Sequence, residues 1–381
     1  MPTIERAKKL GYRVLVTDMY EERPAYAVVD AHERIDIADR DATLRFSERH
    51  KIDGIICDTT DVGVPTMAYV AEQLGLPGIG LETALNFTDK GRMRHLVKQA
   101  GIPSPPFAVV NGVGEARTAA ASIGFPLVVK PVDNQSSRGV HIVRDSGHLE
   151  DSVTDALTKS RTKRSVIEGF VDGVEVTVES FICDAKMVVA GISDKTHFAH
   201  RPEVANRLTY PADLSAAMRD RLVAHNNVVL KALGLKTGIA HAEYIVTSDD
   251  AFLLEIAARG AGSFVYSDIV PYLVGADVPS AYIEFVVTGE MSVKPTAGER
   301  AAALAFLDLP SGRVKSVDGV DAAWRLPGMH KILLEFGAGD ELKPPEDDRS
   351  RPGLVLAFGT TRAEVLASSS AAMEAIRVHV E

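Results

Sequence analysis

The 381-residue chain is short of several things, and each shortage excludes something. It has two cysteines, Cys57 and Cys183. Both sit in apolar runs that read as strands, so buried free thiols are expected; neither a disulfide framework nor zinc-ligand spacing is present. Aromatic residues make up 6% of the chain, too few to suggest stacking platforms for single-stranded nucleic acid. Basic residues are outnumbered 42 to 52 by acidic ones, for a net charge of −10. That balance argues against a nucleic-acid or anionic-membrane surface, though a local basic pocket for a phosphorylated ligand remains allowed. No apolar run approaches the ~20 residues of a membrane span. Residues 1–10 lack the apolar core of a signal peptide. A cytoplasmic location, with reduced thiols, is expected.

What is present is an ordinary globular composition, 46% hydrophobic and 25% charged, and enough length for two or three domains. The first 85 residues alternate between helix and strand patterns: a helix over 3–10, a strand over 12–17, a helix over 41–50, a near-continuous apolar strand over 52–57 and a helix over 64–74. This alternation predicts βαβ units and a parallel sheet covered on both faces. One element is missing. A doubly wound domain opens with a strand and a Gly-rich turn, whereas this chain opens directly in the helix. Two expectations follow: a start upstream that adds roughly ten residues, or a sheet edge remodelled near 12–17.

Residues 86–300 form a second region. A helix is expected over 89–100, a strand over 107–110, a helix over 114–123 and a strand ending at Lys130. Hairpins follow, 174–182 with 185–192 and 239–247 with 251–257, with helical stretches at 213–233 and 278–289. The small lobe of this region spans about 112–170. The tail, 301–381, reads as a β-rich domain with a last helix at 361–376. The overall class is therefore mixed α/β and α+β, in several domains.

Three segments carry chemistry. In PLVVKPVDNQSSRGVHIV (126–143), a buried strand delivers Lys130, and a loop with Ser136, Ser137 and Gly139 follows. Hydroxyls and backbone N–H groups in such a loop can wrap phosphate oxygens, and the lysine adds a point charge. It is not a Walker A motif, and a loop without a ligand fits the pattern as well. In IEGFVDGVE (167–175), Glu168 and Glu175 flank a connector between strands. Along 174–181 the valines share one face and Glu175, Thr177 and Glu179 the other; for Glu179 a solvated face is expected.

The segment GIAHAEYIVTSDDAFLLEIAAR (238–259) is the most informative. A three-residue loop at 248–250 places Glu243 opposite Glu255 and His241 opposite Ala257. Opposed carboxylates repel, so a cation between them makes sense of the pair, and Mg²⁺ shared with phosphate oxygens suits it. A register one residue different would instead send the two acids to opposite faces. His241 either faces the cation site or is a packed core residue. Arg259 lies just beyond the hairpin, followed by a Gly-Ala-Gly-Ser turn. It can hold a phosphoryl or carboxylate group, or make a domain-packing ion pair.

Taken in order, these segments resemble the ATP-grasp superfamily of carboxylate–amine/thiol ligases. The resemblance rests on Asp89-Lys90 opening a helix, the V-V-K-P strand, the small-residue loop, the E-x-x-V connector and the acidic hairpin ending in E-I-x-x-R. The tail is similar to the C-terminal domain of biotin carboxylase-like members, and the first 85 residues to the domain that precedes the grasp. The resemblance implies ATP and Mg²⁺. It implies that Lys90 and Lys130 contact the ATP phosphates and that Ser136, Ser137 and Gly139 form a lid over them. Glu168, Phe170 and Val171 would sit at the adenine, and Glu175 at the ribose. Glu243 and Glu255 would bind Mg²⁺, and Arg259 would steady the transferring phosphoryl group. Ala257 stands where many members carry a third oxygen ligand, Asn.

The implied reaction activates a carboxylate as an acyl phosphate and joins it to an amine, on small-molecule substrates, without nucleic acid or membrane; a homodimer is possible in this superfamily. The polar stretch 193–211, with Lys195, His200, Arg201 and Arg207, is expected to select substrate, Arg207 above the others. A bicarbonate-activating carboxylase of the purine or biotin type is the alternative within the same chemistry. A non-catalytic ATP-binding protein is the alternative outside it.

Overall fold

The computed structural model describes residues 1–183 and 186–381. Its centre is an eight-stranded sheet in which all neighbours are antiparallel. The order is Ala251–Ala257, Gly238–Val246, Val174–Cys183, Lys186–Phe198, Arg201–Tyr210, Ala301–Phe306, Gly353–Gly359 and Met329–Leu334. Three strands of the tail thus extend the sheet that carries the acidic hairpin. The turn of the hairpin expected near 185 lies outside the described residues.

Period-two alternation gives this sheet two different faces. Val176, Val178, Ala242, Tyr244 and Leu253 point to one side. They pack on the helix Ala216–Leu233 through Leu222, Val229, Leu230 and Leu233. That helix starts where Ser215 accepts a hydrogen bond from the Met218 N–H. It stops at Gly234, whose φ of 90° suits glycine's freedom in the left-handed region. The opposite face carries Glu175, Thr177, Glu179, Lys195, His241 and Glu243.

A second, four-stranded antiparallel sheet runs in the order Phe107–Val110, Ser165–Gly169, Leu127–Pro131, His141–Val143. The helices Val113–Ile123 and Leu149–Lys159 cover it through Ala116, Ala120, Val153 and Ala156. Residues 170–173 connect the two sheets.

The N-terminal region departs from expectation. Among the described residues, the strand Leu15–Asp18 pairs, in parallel, with Ala31–Arg34 alone. The residues 52–57, expected as a buried strand, belong to no ladder. They and the Leu15–Asp18 strand both line a cavity of about 1100 Å³. Apolar composition alone forecast a strand there, but a ladder also needs a paired neighbour, and among the described residues none pairs with 52–57.

The polar stretch 193–211 forms a hairpin: the strand from Lys186 continues to Phe198 and the strand Arg201–Tyr210 returns beside it.

Leu230→Ala, at a site with 0% exposure on the long helix, should cost about 2–5 kcal/mol of stability in urea titration. Val228→Ala, 38% exposed on the same helix, should stay within about 0.5 kcal/mol.

Candidate active site

The site lies where the two sheets meet. Asp89 caps the helix Lys90–Gln99 by accepting from the Arg92 N–H, which fixes Lys90 at the first helical position. The Lys90 ammonium reaches Glu255 at 2.7 Å and donates to the Asn134 carbonyl at 2.6 Å. One turn on, Arg94 is 1% exposed and forks onto Glu168, at 2.6 and 3.2 Å. Lys130, from the V-V-K-P strand, reaches the same carboxylate at 2.9 Å.

The acidic hairpin explains why these cations gather here. Glu243 is paired with Glu255 and His241 with Ala257, as the sequence register requires. Nearer the turn the pairing is one residue different, Tyr244 with Leu253 and Val246 with Ala251, so Leu254 is an extra residue. Such a bulge frees backbone groups from the ladder. The Leu254 carbonyl accepts from Arg94 at 2.6 Å and from Lys130 at 3.4 Å. The assumed three-residue loop was wrong at the turn, and the bulge restores the register at the acids.

Lys195 sits between Glu175 at 2.6 Å and Glu243 at 3.1 Å. His197 adds a contact to Glu175 at 3.0 Å. His241 bridges Glu179 at 2.8 Å and Glu243 at 3.4 Å, and the Tyr210 hydroxyl donates to Glu179. His241 therefore faces the acids and not the apolar core. Glu179, expected on a solvated face, is 2% exposed; the neighbouring strands bury it, and His241 and Tyr210 satisfy it.

These pairings move proton affinities. Burial favours the neutral acid at Glu168, but Arg94 and then Lys130 outweigh it and hold the carboxyl down to about 2. Lys130 is lowered, chiefly by burial, with Glu168 opposing. Burial opposes the charge on Lys195, yet Glu175 and Glu243 raise it above the usual ammonium range. Glu243 is held well below the carboxylate range because Lys195 overcomes its burial.

Arg259 follows the hairpin. Asp61 from the N-terminal region takes its guanidinium at 2.7 and 3.2 Å, and the Gly260 carbonyl accepts a third N–H. Two of the five guanidinium N–H groups are left for a ligand. The cavity of about 1100 Å³ touches Glu243, His241, Lys195 and Arg259 and runs under Ser136. Lys90 and Lys130 are sealed behind their ion pairs. The loop between Lys130 and His141 turns through Ser136 and Ser137, with φ of 61° and 59°.

Glu168, expected at the adenine, has both its oxygens held by Arg94 and Lys130. Phe170 donates its N–H to the Pro126 carbonyl, and its ring is 36% exposed at the junction of the sheets, beside Val171. Arg207 is a correction. It pairs with Thr196, while Lys195 pairs with Leu208, so Arg207 projects from the face opposite Lys195. There it donates to the Ser370 hydroxyl of the helix Arg362–Ala375.

Residues 123–268 match the model of the ATP-grasp domain, and residues 4–78 that of the ATP-grasp N-terminal domain. This is an ATP-grasp protein. Residues 305–381 match the L-amino acid ligase C-terminal domain 2. Among solved structures, an L-amino acid ligase from Bacillus licheniformis is similar to this ATP-grasp chain with a TM-score of 0.84 at 22% identity, covering 100% of this chain and 95% of that one. Biotin carboxylase from Campylobacter jejuni gives 0.71 at 17% identity, covering 99% and 89%. A formate-dependent phosphoribosylglycinamide formyltransferase from Paraburkholderia xenovorans is 26% identical over 396 residues, covering 97% of this chain and 90% of its own.

Sequence reasoning missed Arg94, Asp61 and Gln135. Arg94 had a signal, because it lies four residues after Lys90 and so on the same helix face. Asp61 and Gln135 meet across 74 residues, and no local pattern announces that.

Glu168→Gln leaves Arg94 buried with no opposing charge and should cost roughly 3–5 kcal/mol at about pH 7. The Glu168 carboxyl lies below its ordinary 4.5, so its contribution is complete above 4.5 and fades as pH falls toward 2. Urea titrations should therefore show the gap between variant and wild type narrowing at about pH 3; an undiminished gap would contradict the pairing.

Proposed function

We propose that this ATP-grasp protein is an ATP-dependent ligase that activates the carboxylate of one amino acid and joins it to the amino group of another. The observation that carries this reading is the pair Glu243 and Glu255, opposed across the hairpin and each held by a lysine, beside Arg259 on the cavity. The match of the tail to the L-amino acid ligase domain supports amino acids as the substrates.

The residues present suit Mg²⁺ with ATP. Opposed carboxylates have hard oxygen donors, and both are now neutralised by Lys90 and Lys195, which occupy the places a cation would take. Two carboxylates without the third ligand that Ala257 removes fit an ion that completes its shell with phosphate oxygens and water. Glu243 and Glu255 would hold the ion, which supplies charge neutralisation at the phosphates.

In the first step a carboxylate oxygen of the acid substrate attacks the γ-phosphorus. The bond from that phosphorus to the bridging oxygen breaks, and its electron pair leaves with ADP. In the second step the amine nitrogen attacks the acyl carbon. The carbon–oxygen bond to phosphate breaks, phosphate leaves, and the nitrogen gives up a proton. Both steps depend on positioning and charge compensation. Lys90 and Lys130 would turn from Glu255 and Glu168 to phosphate oxygens. Arg259, its direction fixed by Asp61, offers its two remaining N–H groups to the transferring phosphoryl group. The loop over Ser136 and Ser137 excludes water from the acyl phosphate.

A bicarbonate-activating carboxylase is the second reading, favoured by the likeness to biotin carboxylase. The cavity wall made by Leu208, Leu304, Phe306 and Leu354 favours an organic side chain over bicarbonate.

Release of ADP from ATP with Mg²⁺ and an equimolar mixture of the twenty common amino acids, with product masses read directly, tests the reading. ADP and a dipeptide mass are expected without added bicarbonate. ADP release that requires bicarbonate would transfer the protein to the carboxylase reading. Glu255→Gln should lower ADP release by at least ~100-fold while the fold is retained. Normal turnover by that variant would contradict the site.

A further inference from the structure

We infer that Gln135 and Asp61 are positioning residues: they form a clasp that makes the orientation of Arg259 depend on closure of the loop 133–139. The inference rests on the proposed role of Arg259 and adds a mechanism by which that role is switched on.

The clasp is built from three contiguous contacts. The Gln135 side-chain oxygen accepts from the Asp61 N–H at 2.6 Å, and its amide nitrogen donates to the Thr60 hydroxyl at 3.1 Å. Asp61 then grips Arg259 through both carboxylate oxygens. Beside this, the Gly260 N–H donates to the Asp58 carbonyl at 2.8 Å, so the backbone after Arg259 is tied to the same segment. Asp61 is thus held from two sides, its backbone by the loop and its carboxylate by the arginine.

The loop itself needs holding. Ser136 and Ser137 are consecutive non-glycine residues in the left-handed region. Such a conformation persists only where the surroundings impose it. Asp133 and Asn134 tie the start of the loop to Arg161, Thr162, Lys159 and Lys90, and Gln135, immediately before the two serines, adds the tie to the N-terminal region. The side chains of Arg259 and Asp61 are 14% and 13% exposed, so little water is at hand to replace a lost contact.

When the loop lifts, the Asp61 N–H loses its acceptor, and the short turn Asp61–Gly63 is released on that side. The Asp61 carboxylate is then free to shift, and Arg259 with it. Loop closure over the phosphates and alignment of Arg259 are thereby one event. The acid is phosphorylated only when the acyl phosphate that forms is shielded from water.

The test compares Gln135→Ala, Gln135→Glu, Asp61→Asn and the double variant Gln135→Ala/Asp61→Asn with wild type, using the twenty-amino-acid mixture and urea titration to confirm the fold. Gln135→Ala should lower kcat about 10- to 100-fold with KM for ATP changed less than ~3-fold, as expected for lost alignment. Its ratio of ADP to dipeptide should rise above that of wild type, because unshielded acyl phosphate hydrolyses. Gln135→Glu keeps the oxygen that accepts from Asp61 and should recover part of the rate. The double variant should be no slower than Asp61→Asn alone, since both act through one contact chain. Trypsin cleavage after Arg138 should be suppressed by a non-hydrolysable ATP analogue with Mg²⁺ in wild type and not in Gln135→Ala. Wild-type rate and coupling in Gln135→Ala, with Arg259→Lys and Glu255→Gln inactive, would overturn the clasp alone. Full turnover by Arg259→Lys or Glu255→Gln would overturn the reading of the site beneath it.

Discussion

Two carboxylates that face each other on adjacent strands must be neutralised. Glu243 and Glu255 are held in that arrangement by the hairpin register, and much of the surrounding structure answers their charge. Lys90 comes to Glu255 from a helix, and Lys195 comes to Glu243 from the next hairpin. Each of these cations has a second partner, Asn134 or Glu175, that fixes where its ammonium lies. Behind them Arg94 and Lys130 share Glu168 in a second buried cluster. Buried ion pairs of this kind are poor sources of net stability but are costly to break singly. Their arrangement is better understood as a store of cations beside a place where phosphate charge arrives.

The bulge at Leu254 joins the two clusters. It turns one carbonyl out of the ladder toward Arg94 and Lys130, so a backbone irregularity on the acidic hairpin also sets two cations that lie outside it. The same bulge keeps Glu255 opposite Glu243. A single extra residue therefore decides both which face the acids share and where the lysine of the V-V-K-P strand rests.

How much of this the sequence carried depends on the range of the interaction. Alternation along 174–181 put Glu175, Thr177 and Glu179 on one face, and the structure keeps them there. It did not show that Glu179 would be buried, because burial is decided by the strands at His241 and Tyr210. Alternation also held the answer for Arg207, since Lys195 and Arg207 lie in one hairpin. Weighing 193–211 by its charges alone left out the strand pairing that sends Arg207 to the far face. The strand expected at 52–57 failed for a related reason: apolar character is local, while a ladder needs a neighbour. The link from Gln135 through Asp61 to Arg259 joins three distant segments and was out of reach of any local rule.

The central claim is that Glu243 and Glu255 form a cation site completed by nucleotide phosphates. Titration calorimetry of a non-hydrolysable ATP analogue, with and without Mg²⁺, tests it most directly. The account predicts markedly tighter binding with Mg²⁺ in the wild type, and loss of that enhancement in Glu243→Gln. Equal affinities with and without Mg²⁺ in the wild type would contradict it.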